Sequence, residues 1–332
     1  MLSILIPAYN CENSITDTLL SIKSQTYNPD SIEVVIVDDG SKDGTVERIR
    51  RFQNENPTMN IKLLEQQNGG PGAARNAAID AAEGDFIFFV DSDDILFSNY
   101  CSLLVSGISD RADFCFGAYE KIVDNKNSLV MRSEVSGESN AEDVFVSFIQ
   151  HRTHISLWNS IFKADIIKRY NIRFKELFFG EDVDFIARYL MYCEKVIAID
   201  DIVYKFFYDS NRAFSREKNK VINDVSEVLL YDLLPDLEYS GKCKAYMNLK
   251  NGYLPLECLT NLMKKAYISS DYKMFISDIK KNSSLVEYVK NLTHKAVKSR
   301  MYIKATIMRF MLIFVPRVFF LVAKKKYKRL YL

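Results

Sequence analysis

Histidine and tryptophan are nearly absent from this 332-residue chain, which holds three of the first and one of the second. Three histidines are too few for a typical zinc centre. His151 and His154 have no cysteine or acidic cluster beside them at metal-ligand spacing. The six cysteines, at positions 11, 101, 115, 193, 243 and 258, form no C-x-x-C pair and are expected to be reduced thiols. No long Gly/Pro/Ser stretch marks a linker, and no internal repeat is present. The N-terminus has neither a basic region nor an apolar run of useful length, so no signal peptide is expected and the body should stay in the cytosol. No G-x-G-x-x-G follows the first apolar run, which argues against a dinucleotide-dependent oxidoreductase. Residues 7–14 lack the Gly-rich, Lys/Arg-bearing loop that a sugar-nucleotide-forming nucleotidyltransferase needs.

What is present is an ordinary folding composition, 48% hydrophobic and 26% charged, which excludes extended disorder. The net charge of +1 conceals a split. Glu287 is the last acidic residue, and residues 288–332 carry twelve Lys or Arg, so residues 1–287 hold about −11. An acidic body with a basic tail points to a tail that meets an anionic surface, and nucleic acid is not an expected partner.

Short, nearly continuous apolar runs at 2–6, 32–37 and 86–90, with a further strand expected around 60–65, alternate with helical periodicity at 12–25, 42–54 and 71–82. That alternation predicts βαβ units, a mostly parallel sheet and helices on both faces. Residues 221–290 read as largely helical. In such sheets ligands bind outside the carboxyl ends of the strands. Here those ends carry Pro7 to Asn10, Asp38-Asp39 and Asp91-Ser92-Asp93-Asp94. One Asp after a strand is usually a helix cap. Five carboxylates on one rim repel one another, and a divalent cation gives a reason to gather them.

Six segments in a fixed order resemble family 2 glycosyltransferases: Ser3-Ile-Leu-Ile-Pro-Ala-Tyr-Asn10, Val35-Ile-Val-Asp-Asp-Gly-Ser41, Asn68-Gly-Gly-Pro-Gly-Ala-Ala-Arg-Asn76, Gly84-Asp-Phe-Ile-Phe-Phe-Val-Asp-Ser-Asp-Asp94, Leu157-Trp-Asn-Ser-Ile-Phe162 and Phe179-Gly-Glu-Asp-Val-Asp-Phe185. The resemblance, to the bacterial surface-polysaccharide type, implies the nucleotide-diphosphosugar transferase (GT-A) fold. It also implies a UDP-sugar donor, a glycan or lipid-linked acceptor, a divalent metal (manganese or magnesium) and inversion at the anomeric carbon. On it, residues 1–216 form the catalytic domain, with a nucleotide part at 1–100 and an acceptor part at 101–216. A helical extension at 217–294 and a basic apolar tail at 295–332 would follow.

Asp91 and Asp93 have D-x-D spacing, and residues two apart at an extended strand end point the same way. By resemblance Asp93 is the metal ligand and Asp91 a ribose or metal contact. Asp38 closes the second strand where the family contacts uracil or ribose; a carboxylate accepts the imide hydrogen that cytosine lacks. Asp39 is the alternative, and the sequence does not separate them. Pro7 and Tyr9 would line that pocket, although a Tyr after a strand is also ordinary packing. Arg75 follows a Gly-rich turn into a helix, where backbone N–H groups and a positive helix end suit a nucleotide anion. Glu181 and Asp182 match the family's acidic pair, which maps the general base to Asp182 with Glu181 assisting and Asp184 as the rival. An acidic helix start reads the same way. Trp158 is either a sugar-stacking platform with Asn159 beside it in the acceptor site or a core residue. Two departures stand out. Ser160 replaces a common Lys, and the aromatic–basic run becomes Phe206-Phe207-Tyr208-Asp209, with Arg212 and Arg216 later.

Residues 305–323 hold fifteen apolar residues in nineteen, interrupted by Thr306, Arg309, Pro316 and Arg317. Such a segment crosses a bilayer poorly and suits its interface, with Lys324-Lys325-Lys326 and Lys328-Arg329 on anionic headgroups. A buried helix and an oligomer contact are the alternatives. A cytoplasmic protein at the inner face of the membrane is expected. The competing functional reading is a catalytically silent binding scaffold of the same fold.

Overall fold

The computed structural model describes residues 1–108, 112–123, 127–149, 152–175, 180–208, 241, 258–259, 262, 266, 271–281, 289, 299–314 and 316–330. Arg212 and Arg216, most of 217–294, and the side chains of Lys324, Lys325, Lys326, Lys328 and Arg329 lie outside the described residues. The chain forms two compact units, Met1–Leu177 with Glu181–Asn219 and Phe178–Gly180 with Lys220–Leu332.

In the first unit, β1 (Leu2–Ala8), β2 (Ile32–Asp38), β3 (Asn60–Glu65) and β4 (Phe86–Phe89) alternate with α1 (Ile15–Lys23), α2 (Thr45–Glu55) and α3 (Pro71–Ala81). The order β3-β2-β1-β4 is parallel throughout. The remaining elements are α4 (Tyr100–Ile108), β5 (Phe114–Val123), β6 (Asn127–Met131), β7 (Gly137–Asn140), α5 (Ala141–Ile149), β8 (Ser160–Lys163), α6 (Ala164–Arg169), α7 (Glu181–Met191) and β9 (Lys195–Tyr208). They extend the sheet as β4-β8-β5-β9-β7, with β8 antiparallel to both neighbours and β5 parallel to β9.

The period-two pleat sorts the side chains of β1 and β2. Leu2, Ile4, Ile6, Ile32, Val34 and Ile36 pack with Ile15, Leu19 and Ile22 of α1 and Ile49 and Phe52 of α2. The opposite face carries α3, whose Ala74, Ala78 and Ile79 are fully buried. Burial on both faces is why these strands read as continuous apolar runs. Both α1 and α2 start three residues later than their periodicity predicts, because the preceding turns are held by each other. Asn10 N–H donates to Ser41 Oγ and Lys42 N–H to Asn10 Oδ1, while Gly44 N–H donates to Glu12.

In the second unit, α8 (Tyr272–Lys281), α9 (Ser299–Phe314) and α10 (Pro316–Leu330) are described. Pro316 opens α10, the position where a missing N–H costs least, and it divides the apolar run of residues 305–323 into two helices. Among the described residues, no helix is long and apolar enough to cross a membrane.

Candidate active site

The sheet order places β1 between β2 and β4, so the chain reverses direction across the sheet beside β1. The crevice at such a reversal is where open α/β sheets bind ligands. The carboxyl ends of β1, β2 and β4 meet there, and with them Pro7 and Tyr9, Asp38 and Asp39, and Asp91 to Asp94. Tyr9 is exposed and Pro7 half-buried, so the Tyr9 ring is accessible to a ligand.

Asp38 and Asp39 are both 3% exposed, yet their surroundings differ. Asp39 Oδ1 accepts from Gln66 Nε2 and Gly69 N–H, and its Oδ2 accepts from Gly70 N–H, each at 2.8 Å. Asn68 Nδ2 also donates to the Asp39 carbonyl. Asp39 thus shapes the loop that enters α3. Gly70 sits there at φ +87°, a backbone conformation that favours glycine. Asp38 Oδ2 accepts from Ser41 N–H at 3.0 Å, and its Oδ1 is buried with no hydrogen-bond partner. An orphaned buried carboxylate oxygen is costly unless a ligand completes it. Gln66 had no signal in the sequence beyond lying near the Gly-rich turn, whereas Asn68 heads the Asn68–Asn76 segment with no role indicated for its side chain.

Arg75, on α3, reaches across the crevice. Its Nη2 donates to Asp91 Oδ1 at 3.0 Å, and its Nη1 lies 3.5 Å from Glu181 Oε1. The guanidinium carbon sits 5.4 Å from the centroid of Phe174, an arrangement that favours a desolvated cation. The side chain is only 10% exposed. One buried cation therefore links the end of β4 to the start of α7.

The first turn of α7 carries Glu181, Asp182 and Asp184. Asp184 is buried and paired through both oxygens with Arg188 Nε at 3.0 Å. Asp182 accepts a local bond from Val183 N–H at 2.8 Å. Burial pushes the Asp182 carboxyl above its ordinary range, and nearby Asp91 adds to this while Arg75 opposes it. Glu181 is raised by burial and by Asp182, again against Arg75. Paired Asp184 is thereby distinguished from Asp182.

Asp91 is partly exposed, and Asp93 is exposed at the tip of the turn. Ser14, just before α1, and Thr18 of α1 both donate to the Ser92 carbonyl, fixing the turn. Asp94 turns inward and accepts from Tyr204 Oη of β9. Burial, then Asp91, then Asp93 push Asp94 up to about 8. Raised that far, Asp94 keeps its proton near neutral pH, and Asp91 and Asp93 remain as hard carboxylate donors at the D-x-D spacing that suits a divalent cation. Among the described residues, no three His, Cys, Asp or Glu side chains converge on one point, so any cation here takes remaining ligands from substrate or water.

Trp158 lies in a single 3-10 turn, Leu157–Asn159. Its ring stacks on Tyr204 at 4.5 Å and Phe206 at 5.3 Å and meets the edge of Tyr119 at 4.7 Å. Aromatic packing thus engages the ring that could have served as a sugar platform. Asn159 is fully buried. Its Nδ2 donates to the carbonyls of Gly117 and His154, and its Oδ1 accepts from Ser156 N–H and Ser160 Oγ. That is the full capacity of a carboxamide, which leaves no polar atom for an acceptor. The Asn159 side chain is thus engaged in internal bonds.

A family model described as Glycosyl transferase family 2 matches residues 3–221. Glycosyltransferase GlyA of Streptococcus pneumoniae serotype 4 is 30% identical over 217 residues, which are 62% of this chain and 30% of that protein. This chain therefore spans under a third of that relative. GalNAc(5)-diNAcBac-PP-undecaprenol beta-1,3-glucosyltransferase of Campylobacter jejuni is 24% identical over 267 residues, 77% of this chain and 83% of that protein. The crystal structure of S. aureus TarS 1-349 in complex with UDP-GlcNAc superposes with a TM-score of 0.71 at 20% identity, covering 99% of this chain and 91% of that one. The fold is thus shared with TarS, and the chain belongs to glycosyl transferase family 2.

Proposed function

We propose that this glycosyltransferase moves a sugar from a UDP-sugar to a hydroxyl of a glycan or lipid-linked glycan, with inversion, in cell-surface polysaccharide synthesis. The observation that carries the proposal is Arg75, whose guanidinium joins Asp91 on the nucleotide side to Glu181 on the acidic helix start. Solved and curated relatives support the substrate classes: TarS was crystallised with UDP-GlcNAc, and the Campylobacter enzyme is named for an undecaprenol-linked acceptor.

Asp38 Oδ1, buried and unpaired, would accept the imide hydrogen of uracil or a ribose hydroxyl, with Pro7 and Tyr9 along the base. Asp39 positions the loop rather than touching the nucleotide. Asp93 and Asp91 would hold a divalent cation, manganese or magnesium, whose charge offsets the negative charge growing on the diphosphate. Arg75 lies on the same side and adds a fixed positive charge.

Asp182 acts as general base. It takes the proton of the acceptor hydroxyl while that oxygen bonds to the anomeric carbon. The bond from that carbon to the diphosphate oxygen breaks on the opposite face, which inverts the configuration. A carboxylate raised by burial is a stronger base than one in water, and Arg75 opposes part of that rise. Glu181, held by Arg75, orients the acceptor. The protein works at the inner face of the cell membrane, where a lipid-linked acceptor is available and the basic tail meets anionic lipid.

Asp182→Asn tests the assignment. Transfer to acceptor is expected to fall by at least about a thousandfold, with UDP affinity within twofold of the parent. Equal loss of both would overturn it and give Asp182 a folding role.

A further inference from the structure

The helices α9 and α10 pack against each other; Ala305, Leu312, Phe319, Phe320 and Ala323 are buried, with Phe319 and Phe320 against Phe275 of α8. A helix resting on a protein core ordinarily turns polar residues outward. Here Ile307, Phe310 and Ile313 recur every three residues on the outer side of α9, and Val318 and Leu321 do so on α10. Their exposures run from 37% to 59%. Single exposed apolar residues need no explanation, but five on two adjoining helices do.

Length separates lying on a membrane from crossing it. The 16 residues of α9 and 15 of α10 span roughly 24 and 22 Å, short of the ~30 Å hydrocarbon core. Charge then identifies the partner. No acidic residue occurs in 288–332, and Lys324, Lys325, Lys326, Lys328 and Arg329 continue α10 past its apolar part. A twofold contact between copies through this face would bring together two segments carrying twelve positive charges each.

We infer that the exposed face of α9 and α10 docks on an anionic lipid surface. Ile307, Phe310, Ile313, Val318 and Leu321 enter the headgroup–acyl boundary, and the cationic sequence ending α10 supplies the electrostatic attraction. This deepens the membrane placement proposed above and rests on the tail alone.

The test is flotation of the full chain with phosphatidylglycerol–phosphatidylcholine vesicles and with phosphatidylcholine vesicles, at low and high salt. The anionic vesicles are expected to bind at least about tenfold more tightly, with the difference shrinking in salt. Ile307→Glu with Leu321→Glu places acidic groups on exposed positions and is expected to lower binding by about tenfold or more. Lys324→Gln, Lys325→Gln and Lys326→Gln together should remove most of the preference for anionic lipid. Circular dichroism and the thermal midpoint confirm that each variant folds. Absence of vesicle binding would overturn the inference, as would equal binding by folded variants. So would self-association, abolished by the Glu variant, with no affinity for lipid. Vesicle binding is read without turnover, so its failure leaves the transfer chemistry standing, and failed transfer leaves the docking face standing.

Discussion

Arg75 and Asp91 meet at 3.0 Å across the crevice at the end of β4. The same guanidinium lies 3.5 Å from Glu181, so residues far apart in the chain share one buried cation. Arg75→Ala leaves Asp91, Glu181 and Asp182 without their common counter-charge. Loss of kcat/KM by at least about a hundredfold is expected, and Arg75→Lys should recover little of it because a single ammonium cannot reach both partners in the same geometry. Steady-state kinetics on the two variants, compared with their thermal midpoints, checks this.

The neighbouring pair at the end of β2 should behave oppositely. Asp39→Ala removes the acceptor for three loop donors and is expected to cost about 1–3 kcal/mol of stability. Asp38→Asn keeps the shape, removes a buried unpaired charge, and should leave stability unchanged or raise it while weakening UDP binding by about tenfold or more. Denaturant titration and UDP titration on both variants separate a loop-forming role from a ligand-binding one.

A pH series tests the acidic turn. Asp94, Glu181 and Asp182 all have native carboxyls raised by burial. Each therefore binds more protons folded than unfolded, and its contribution to stability is fully present below the ordinary carboxylate range. It is lost as pH rises through the raised native value. For Asp94 that window extends to about 8. Asp94→Asn still accepts the Tyr204 hydroxyl bond, so its thermal midpoint should fall less steeply across the window and exceed the parent's at the alkaline end. Transfer should follow the opposite slope, rising with pH as Asp182 ionises.

Asn159→Ala strands the Gly117 and His154 carbonyls and the Ser156 N–H at the turn beside β8, while Ser160 Oγ keeps its bond to the Ser156 carbonyl. A loss of about 2–4 kcal/mol is expected, with acceptor KM unchanged in the folded fraction. A selective rise in acceptor KM would return Asn159 to the binding site.

Local pattern carried much of this architecture. The strands β1, β2 and β4 were legible because burial on both faces leaves them almost wholly apolar, and their polar ends announced the rim. Pattern fails where the deciding partner is distant. Nothing near Asp38 or Asp39 indicates which one has its oxygens consumed, because the donors Gln66, Gly69 and Gly70 come from the loop after β3. Tyr204 reaches Asp94 from β9, 110 residues later. The Trp158 surroundings likewise depend on Tyr119, Tyr204 and Phe206, brought together only by the pairing of β5 with β9.

The central claim is a pocket for UDP completed by a divalent cation, and the direct measurement is the thermal midpoint with UDP, GDP, CDP and ADP, each with and without manganese. Ligand binding to the native state raises the midpoint by mass action without requiring the acceptor. The account predicts a rise specific to UDP, larger with manganese and reduced in Asp38→Asn. A rise with another nucleotide would overturn the donor assignment, and no rise with any of them would contradict the transferase and favour a silent scaffold of the same fold.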